Sequence, residues 1–151
     1  MSFDAVAPWY RTLETIAFGN ALQRARVACL GEIGSPRRAL IVGEGNGRFL
    51  AALLQRQPLI KIDCIDSSQR MLELARQSVL RIAPDEIGRV TFFLADVISW
   101  APNDSYDLIV THFLLDCFGT QQVASIVAKL AQAAAPTATW LLADFRVPGA
   151  A

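Results

Sequence analysis

The chain has 151 residues, enough for one domain with one core, and carries 14 basic against 14 acidic side chains. That balance leaves no electrostatic footprint for nucleic acid or an anionic membrane, so neither is expected as a partner. The hydrophobic fraction of 53% is interrupted every few residues by Asp, Arg or Gln, which points to strands covered on both faces rather than bilayer helices.

The predicted elements follow in chain order. Residues 1–38 read as an N-terminal helical segment, with two helices in 9–32 separated at Gly19-Asn20, and the rest as the core of the same domain. No basic start followed by a long apolar run is read as a secretory leader. After the loop Gly34-Ser35-Pro36 come a strand at 39–42, a glycine turn, and a helix at 48–57 stopped by Pro58. A strand at 59–65 leads to a helix at 69–82, capped by Ser67 or Ser68 and closed by Pro84; its stripe Met71, Leu72, Ala75, Val79 and Ile82 falls at spacings of three and four. Strands at 90–94 and 106–111, a helix at 121–134 and a strand at 139–145 complete the order. Strand alternating with helix predicts an α/β fold, a doubly wound Rossmann-like parallel sheet of about five strands with helices on both faces. Ligands then bind at the carboxyl ends of the strands.

The turn Gly43-Glu44-Gly45-Asn46-Gly47 follows an apolar strand and opens a helix. Glycines on alternate positions allow positive φ and close approach of a ligand to the main chain, and the first helical N–H groups lack intrahelical acceptors. Asp66 closes the next strand, where a carboxylate accepts the hydroxyls of a ribose. The spacing differs from the dinucleotide fingerprint, because Arg48 stands where its third glycine belongs.

This Gly-x-Gly-x-Gly turn, with Ile65-Asp66-Ser67-Ser68-Gln69-Arg70-Met71-Leu72, Leu94-Ala95-Asp96-Val97 and Tyr106-Asp107-Leu108-Ile109-Val110-Thr111, resembles the small-molecule type of class I S-adenosylmethionine-dependent methyltransferases. The resemblance implies a strand order 3-2-1-4-5 and S-adenosyl-L-methionine as cofactor. It implies that Gly43, Glu44, Gly45, Asn46 and Gly47 pass the methionine portion along the turn, that Asp66 holds the ribose, and that Asp96 accepts from the adenine amine beside Val97. Ser67 and Met71 are expected on the other adenine face. The family often carries an acid two positions before the first glycine; Ile41 stands there, and Glu44 is the substitute. The bland readings are a tight strand-helix turn for the glycines, a turn-capping role for Asp96 and core packing for Met71.

The segment after the fourth strand, from Thr111 and His112 to Phe118, is expected beside the reactive methyl, with Phe113 and Phe118 as walls. His112 is the only histidine and the candidate catalytic base, against the alternative of a histidine bonded to backbone. Tyr10, with Phe3, Asp4 and Ala7 near it, resembles a tyrosine that related enzymes fold over the cofactor, or else packs the first helix. One His and scattered carboxylates offer no ligand spacing for a metal.

Six residues follow Phe145, where the family usually adds two more strands. The fifth strand is then a sheet edge, which predicts either truncation of a longer parent, the preferred reading, or a homo-oligomer formed through that edge. Cys29, Cys64 and Cys117, odd in number and widely spaced, read as reduced thiols and place the chain in the cytoplasm. The expected function is methyl transfer to a small-molecule acceptor. The alternatives are a non-catalytic S-adenosylmethionine-binding or interaction module and an NAD(P)-dependent oxidoreductase.

Overall fold

The computed structural model describes residues 21–143. Strand β1 (Arg38–Val42) shows why the sheet lies at the centre: its last four residues are all buried, and they alternate between two separate cores. Ala39 and Ile41 face one layer, with Phe49, Leu50, Leu53 and Leu54 of helix α2 (Arg48–Arg56) and Leu72, Ala75 and Val79 of α3 (Gln69–Ile82). Leu40 and Val42 face the other, with Ile126, Leu130 and Ala133 of α4 (Thr120–Ala133). A strand apolar on both faces needs a helix on each side, and the helical stripes supply it.

The remaining strands are β2 (Lys61–Asp66), β3 (Val90–Leu94), β4 (Tyr106–His112) and β5 (Ala134–Ala143). They form one parallel sheet in the order β3-β2-β1-β4-β5, as expected. Because every pairing is parallel, the carboxyl ends of β1, β2, β3 and β4 open on one edge, and the connections leaving them build a shared rim. Helix α1 (Ala21–Val27) precedes β1, and short 3-10 turns lie at Pro84–Arg89 and Leu115–Cys117.

The opposite edge is tied by polar contacts. Asp107 accepts the backbone N–H groups of Arg37 and Arg38, both at 2.9 Å. Buried Asp63 accepts from the Arg38 guanidinium and from the Tyr106 hydroxyl, each at 2.7 Å. Burial, then the bond to Asp63, pushes the Tyr106 phenol well above its ordinary range. Arg89 closes the end of α2 by donating to the carbonyls of Leu54, Gln57 and Ile60.

Several boundaries differ from expectation. Ser68 is the cap of α3, its Oγ accepting the Met71 N–H at 3.1 Å. Strand β2 starts at Lys61 rather than at 59, because the Ile60 N–H is turned onto the Gln57 carbonyl and Leu59 lies exposed. Strand β5 begins at Ala134, five residues early. A register shift separates its first pairing, Tyr106 with Ala134, from the regular ladder that starts at Leu108 with Thr139. Pro136 falls inside that irregular stretch, where a missing N–H breaks no ladder. The first N-terminal helix, Tyr10 and the end of the fifth strand at Phe145 lie outside the described residues, and the second helix is α1, ending at Val27. Among those residues, no helix is long and apolar enough to cross a membrane.

Candidate functional site

A cavity opens at the carboxyl edge of the sheet. Its walls come from four successive connections: Val42, Gly43 and Gly45 after β1; Ile65, Asp66, Ser67 and Met71 after β2; Ala95, Asp96 and Val97 after β3; Phe113, Leu114, Cys117 and Phe118 after β4. Side chains spread over 77 positions of sequence meet there because parallel topology returns each strand to the same edge.

The glycine turn adopts φ of 72°, 79° and 84° at Gly43, Gly45 and Gly47, a conformation costly for any residue with a β-carbon. Its three glycines have different neighbours. Gly43 and Gly45 lie on the cavity wall, whereas Gly47 backs onto α3, and a β-carbon there would sit 2.5 Å from Cα of Ala75. The residues between them turn inward. Asn46 is buried; its Oδ1 accepts the Arg48 N–H at 3.1 Å and its carbonyl accepts from Ser78 Oγ. Glu44 is 4% exposed, and its Oε1 accepts the Leu50 N–H at 3.1 Å. Burial raises the Glu44 carboxyl to about 7, against the lowering pull of the Leu50 N–H and the Arg26 charge.

Asp66 ends β2 half-buried on the wall, and its Oδ1 accepts the Ser68 N–H at 2.9 Å. The carboxylate is thereby oriented by the cap of α3. Ser67 lies exposed beside it, and Met71 is buried but reaches the cavity. Asp96 is on the wall too, and it also caps the following turn: Oδ1 accepts the Ile98 N–H at 2.9 Å and its carbonyl accepts from Ser99 and Trp100. Val97 is buried behind it.

Thr111 and His112 end β4 and are not among the residues that form the cavity wall. Thr111 is fully buried and its Oγ1 accepts from Trp140 Nε1 at 2.8 Å, linking β4 to β5. His112 packs edge-on against Phe49 of α2, with ring centroids 4.6 Å apart. Its Nδ1 is buried without a hydrogen-bond partner, and burial followed by the Arg26 charge lowers the ring to about 4, so the imidazole is neutral at pH 7. Phe113, next in the chain, turns back at φ 55°, and the Arg26 guanidinium lies 5.2 Å from its ring centroid. Among the wall residues, Leu114 and Cys117 carry no sequence signal of their own. The strained backbone at Phe113 aims this segment inward, and no periodicity announces such a turn. Among the described residues, no group of His, Cys, Asp and Glu has the arrangement of a metal site.

Comparison with known proteins follows the same line. A family model described as a methyltransferase domain matches residues 40–139. The chain is 31% identical over 114 residues to malonyl-[acyl-carrier protein] O-methyltransferase of Paenibacillus sp. (strain JDR-2), covering 74% of this chain and 39% of that protein. It is 31% identical over 121 residues to trans-aconitate 2-methyltransferase of Acidovorax ebreus (strain TPSY), covering 79% and 43%. The chain thus spans about two fifths of the length of these curated relatives. In fold it is similar to N-methyltransferase NodS from Bradyrhizobium japonicum WM9, solved in complex with S-adenosyl-L-homocysteine, at a TM-score of 0.60 and 20% identity, over 85% of this chain and 58% of that one. With a family match that runs from β1 to the regular part of β5, over more than half of its length, the chain belongs to the methyltransferase domain family.

Proposed function

We propose that this chain is the donor-binding part of an S-adenosylmethionine-dependent methyltransferase whose acceptor is a small molecule. One observation carries the reading: Gly43 and Gly45, which have no side chain, line a single cavity together with Asp66 and Asp96. Backbone approach at one side and two acidic acceptors at the other suit a ligand with a flexible chain, a ribose and an adenine. The name of the trans-aconitate methyltransferase supports a small acceptor, and the NodS complex supports the nucleoside.

The residues fit the cofactor as follows. Asp66, oriented by the Ser68 N–H, accepts the ribose hydroxyls; Asp96 accepts from the adenine amine; Met71 and Val97 flank the ring. Gly43 and Gly45 let the methionine chain run against the main chain, while Phe113 and Phe118 wall the acceptor side and exclude water. When bound, the cofactor supplies a methyl group on a positively charged sulfur, which leaves as a neutral thioether. The protein's work is then to orient donor and acceptor in line. His112 is the candidate base by its place at the end of β4; it is neutral at pH 7, and its ring stands beside the cavity against Phe49 rather than on the wall. A base role requires His112→Asn to lower kcat with donor affinity unchanged; equal rates assign the ring to packing on Phe49.

The same reading takes the three cysteines, none in a disulfide among the described residues, as reduced thiols in the cytoplasm. Calorimetric titration with S-adenosyl-L-homocysteine and with NAD tests it. Micromolar binding of the first and none of the second is expected; the reverse overturns the proposal in favour of an oxidoreductase.

A further inference from the structure

The start of α2 is saturated from within. Asn46 takes the Arg48 N–H, Glu44 takes that of Leu50 and also faces that of Phe49, and Ala51 has already entered the helical ladder onto the Gly47 carbonyl. A helix following a glycine turn ordinarily keeps those N–H groups for a phosphate, which gains both the hydrogen bonds and the favourable end of the helix dipole. Here a carboxylate of the chain itself, 4% exposed, stands at that place. The residues on either side of it, Gly43 and Gly45, form the cavity wall, so Glu44 lies directly behind the surface that a bound nucleotide touches.

We propose that Glu44 is a specificity-determining residue: it fills the anion position of α2, so that the turn rejects phosphate-bearing nucleotides and admits a nucleoside whose chain is neutral or cationic at this point. Two effects act together. The donors a phosphate needs are taken, and the ionised carboxylate repels a second anion. Among the described residues, the charged and titratable groups facing Glu44 are Arg26 from α1, Asp66 at the end of β2 and the Cys64 thiol within β2. Arg26 offsets part of the negative field and Asp66 adds to it. With its carboxyl at about 7, Glu44 ionises across the neutral range, so rejection strengthens as pH rises.

The test is the affinity for ADP of wild type, Glu44→Ala and Glu44→Gln, measured at pH 6 and pH 8 with S-adenosyl-L-homocysteine as reference ligand. Glu44→Ala, checked for fold by circular dichroism, is expected to bind ADP at least tenfold more tightly than wild type at pH 8. Unchanged ADP affinity in folded Glu44→Ala overturns the proposal. Should that variant not fold, Glu44→Gln decides: its gain in ADP affinity over wild type is expected to grow from pH 6 to pH 8, and a ratio constant with pH overturns the proposal. The role of S-adenosylmethionine rests on the preceding reading, but the ADP comparison does not. Failure of wild type to bind S-adenosyl-L-homocysteine overturns that reading while Glu44 is still scored by ADP.

Discussion

Gly47 and Ala75 hold α2 and α3 together backbone to backbone: a β-carbon on Gly47 would stand 2.5 Å from Cα of Ala75 and 2.6 Å from its carbonyl oxygen. Neither atom belongs to a movable side chain, and the φ of 84° disfavours any other residue in addition. Gly47→Ala is therefore expected to lower stability by about 2–4 kcal/mol, from backbone strain plus overpacking. Urea denaturation measures this; a loss below about 0.5 kcal/mol would show that the helices separate at little cost.

Glu44 and His112 make opposite contributions to the dependence of stability on pH. The folded Glu44 carboxyl is raised from 4.5 to about 7, so the native state holds a proton that the unfolded state releases, and stability falls as pH rises from 4.5 to 7. The folded His112 is lowered from 6.5 to about 4, so its contribution is complete above 6.5 and is lost as pH falls through 4. Each amounts to about 3 kcal/mol, and the two largely offset in wild type. Glu44→Gln should leave a stability that rises from pH 4 to 6.5, and His112→Asn one that falls from 4.5 to 7. Denaturation midpoints at half-unit pH steps check both slopes, and variants parallel to wild type would contradict the burial of these groups.

Asp66→Asn keeps an oxygen for the Ser68 N–H but loses the charge that faces the ribose. Affinity for S-adenosyl-L-homocysteine should weaken by about 1.5–3 kcal/mol, read by calorimetry. An unchanged affinity removes Asp66 from the site. Thermal stability is expected to stay within about 0.5 kcal/mol of wild type.

Arg89 offers the converse test, because it acts far from the cavity. It donates at 2.9, 2.7 and 3.1 Å to the carbonyls of Leu54, Gln57 and Ile60 and pairs with Glu86 at 2.6 Å. Arg89→Met removes the guanidinium donor from the Leu54 and Ile60 carbonyls, while Gln57 keeps the Ile60 N–H, and should destabilise by about 2–4 kcal/mol. Ligand affinity of the folded fraction should not change. A variant that loses affinity without losing stability would contradict this division.

Local signals made part of the fold legible. Helix α3 matches its expected bounds, 69–82, because an apolar stripe runs through the segment and a cap at Ser68 and a closing Pro84 flank it directly. Strand β1 and the glycine turn were legible for the same reason: continuous burial reads as an apolar run, and positive φ reads as glycine. The start of β5 was not, since Ala134 becomes a strand residue only through pairing with Tyr106.

By itself the sequence determined the alternation of elements, hence the parallel sheet, and the residue types at the ends of β1, β2 and β3. Those follow from periodicity and backbone preference, which are properties of neighbouring residues. The tertiary structure alone decided which way each side chain faces. It set His112 against Phe49 and Thr111 against Trp140, turned Phe113 and Leu114 into the cavity, and assigned Gly47 to a helix contact. It also folded Glu44 back onto the helix it precedes. Strand register and helix docking fix such directions across tens of residues, because one position of slip moves a side chain to the opposite face.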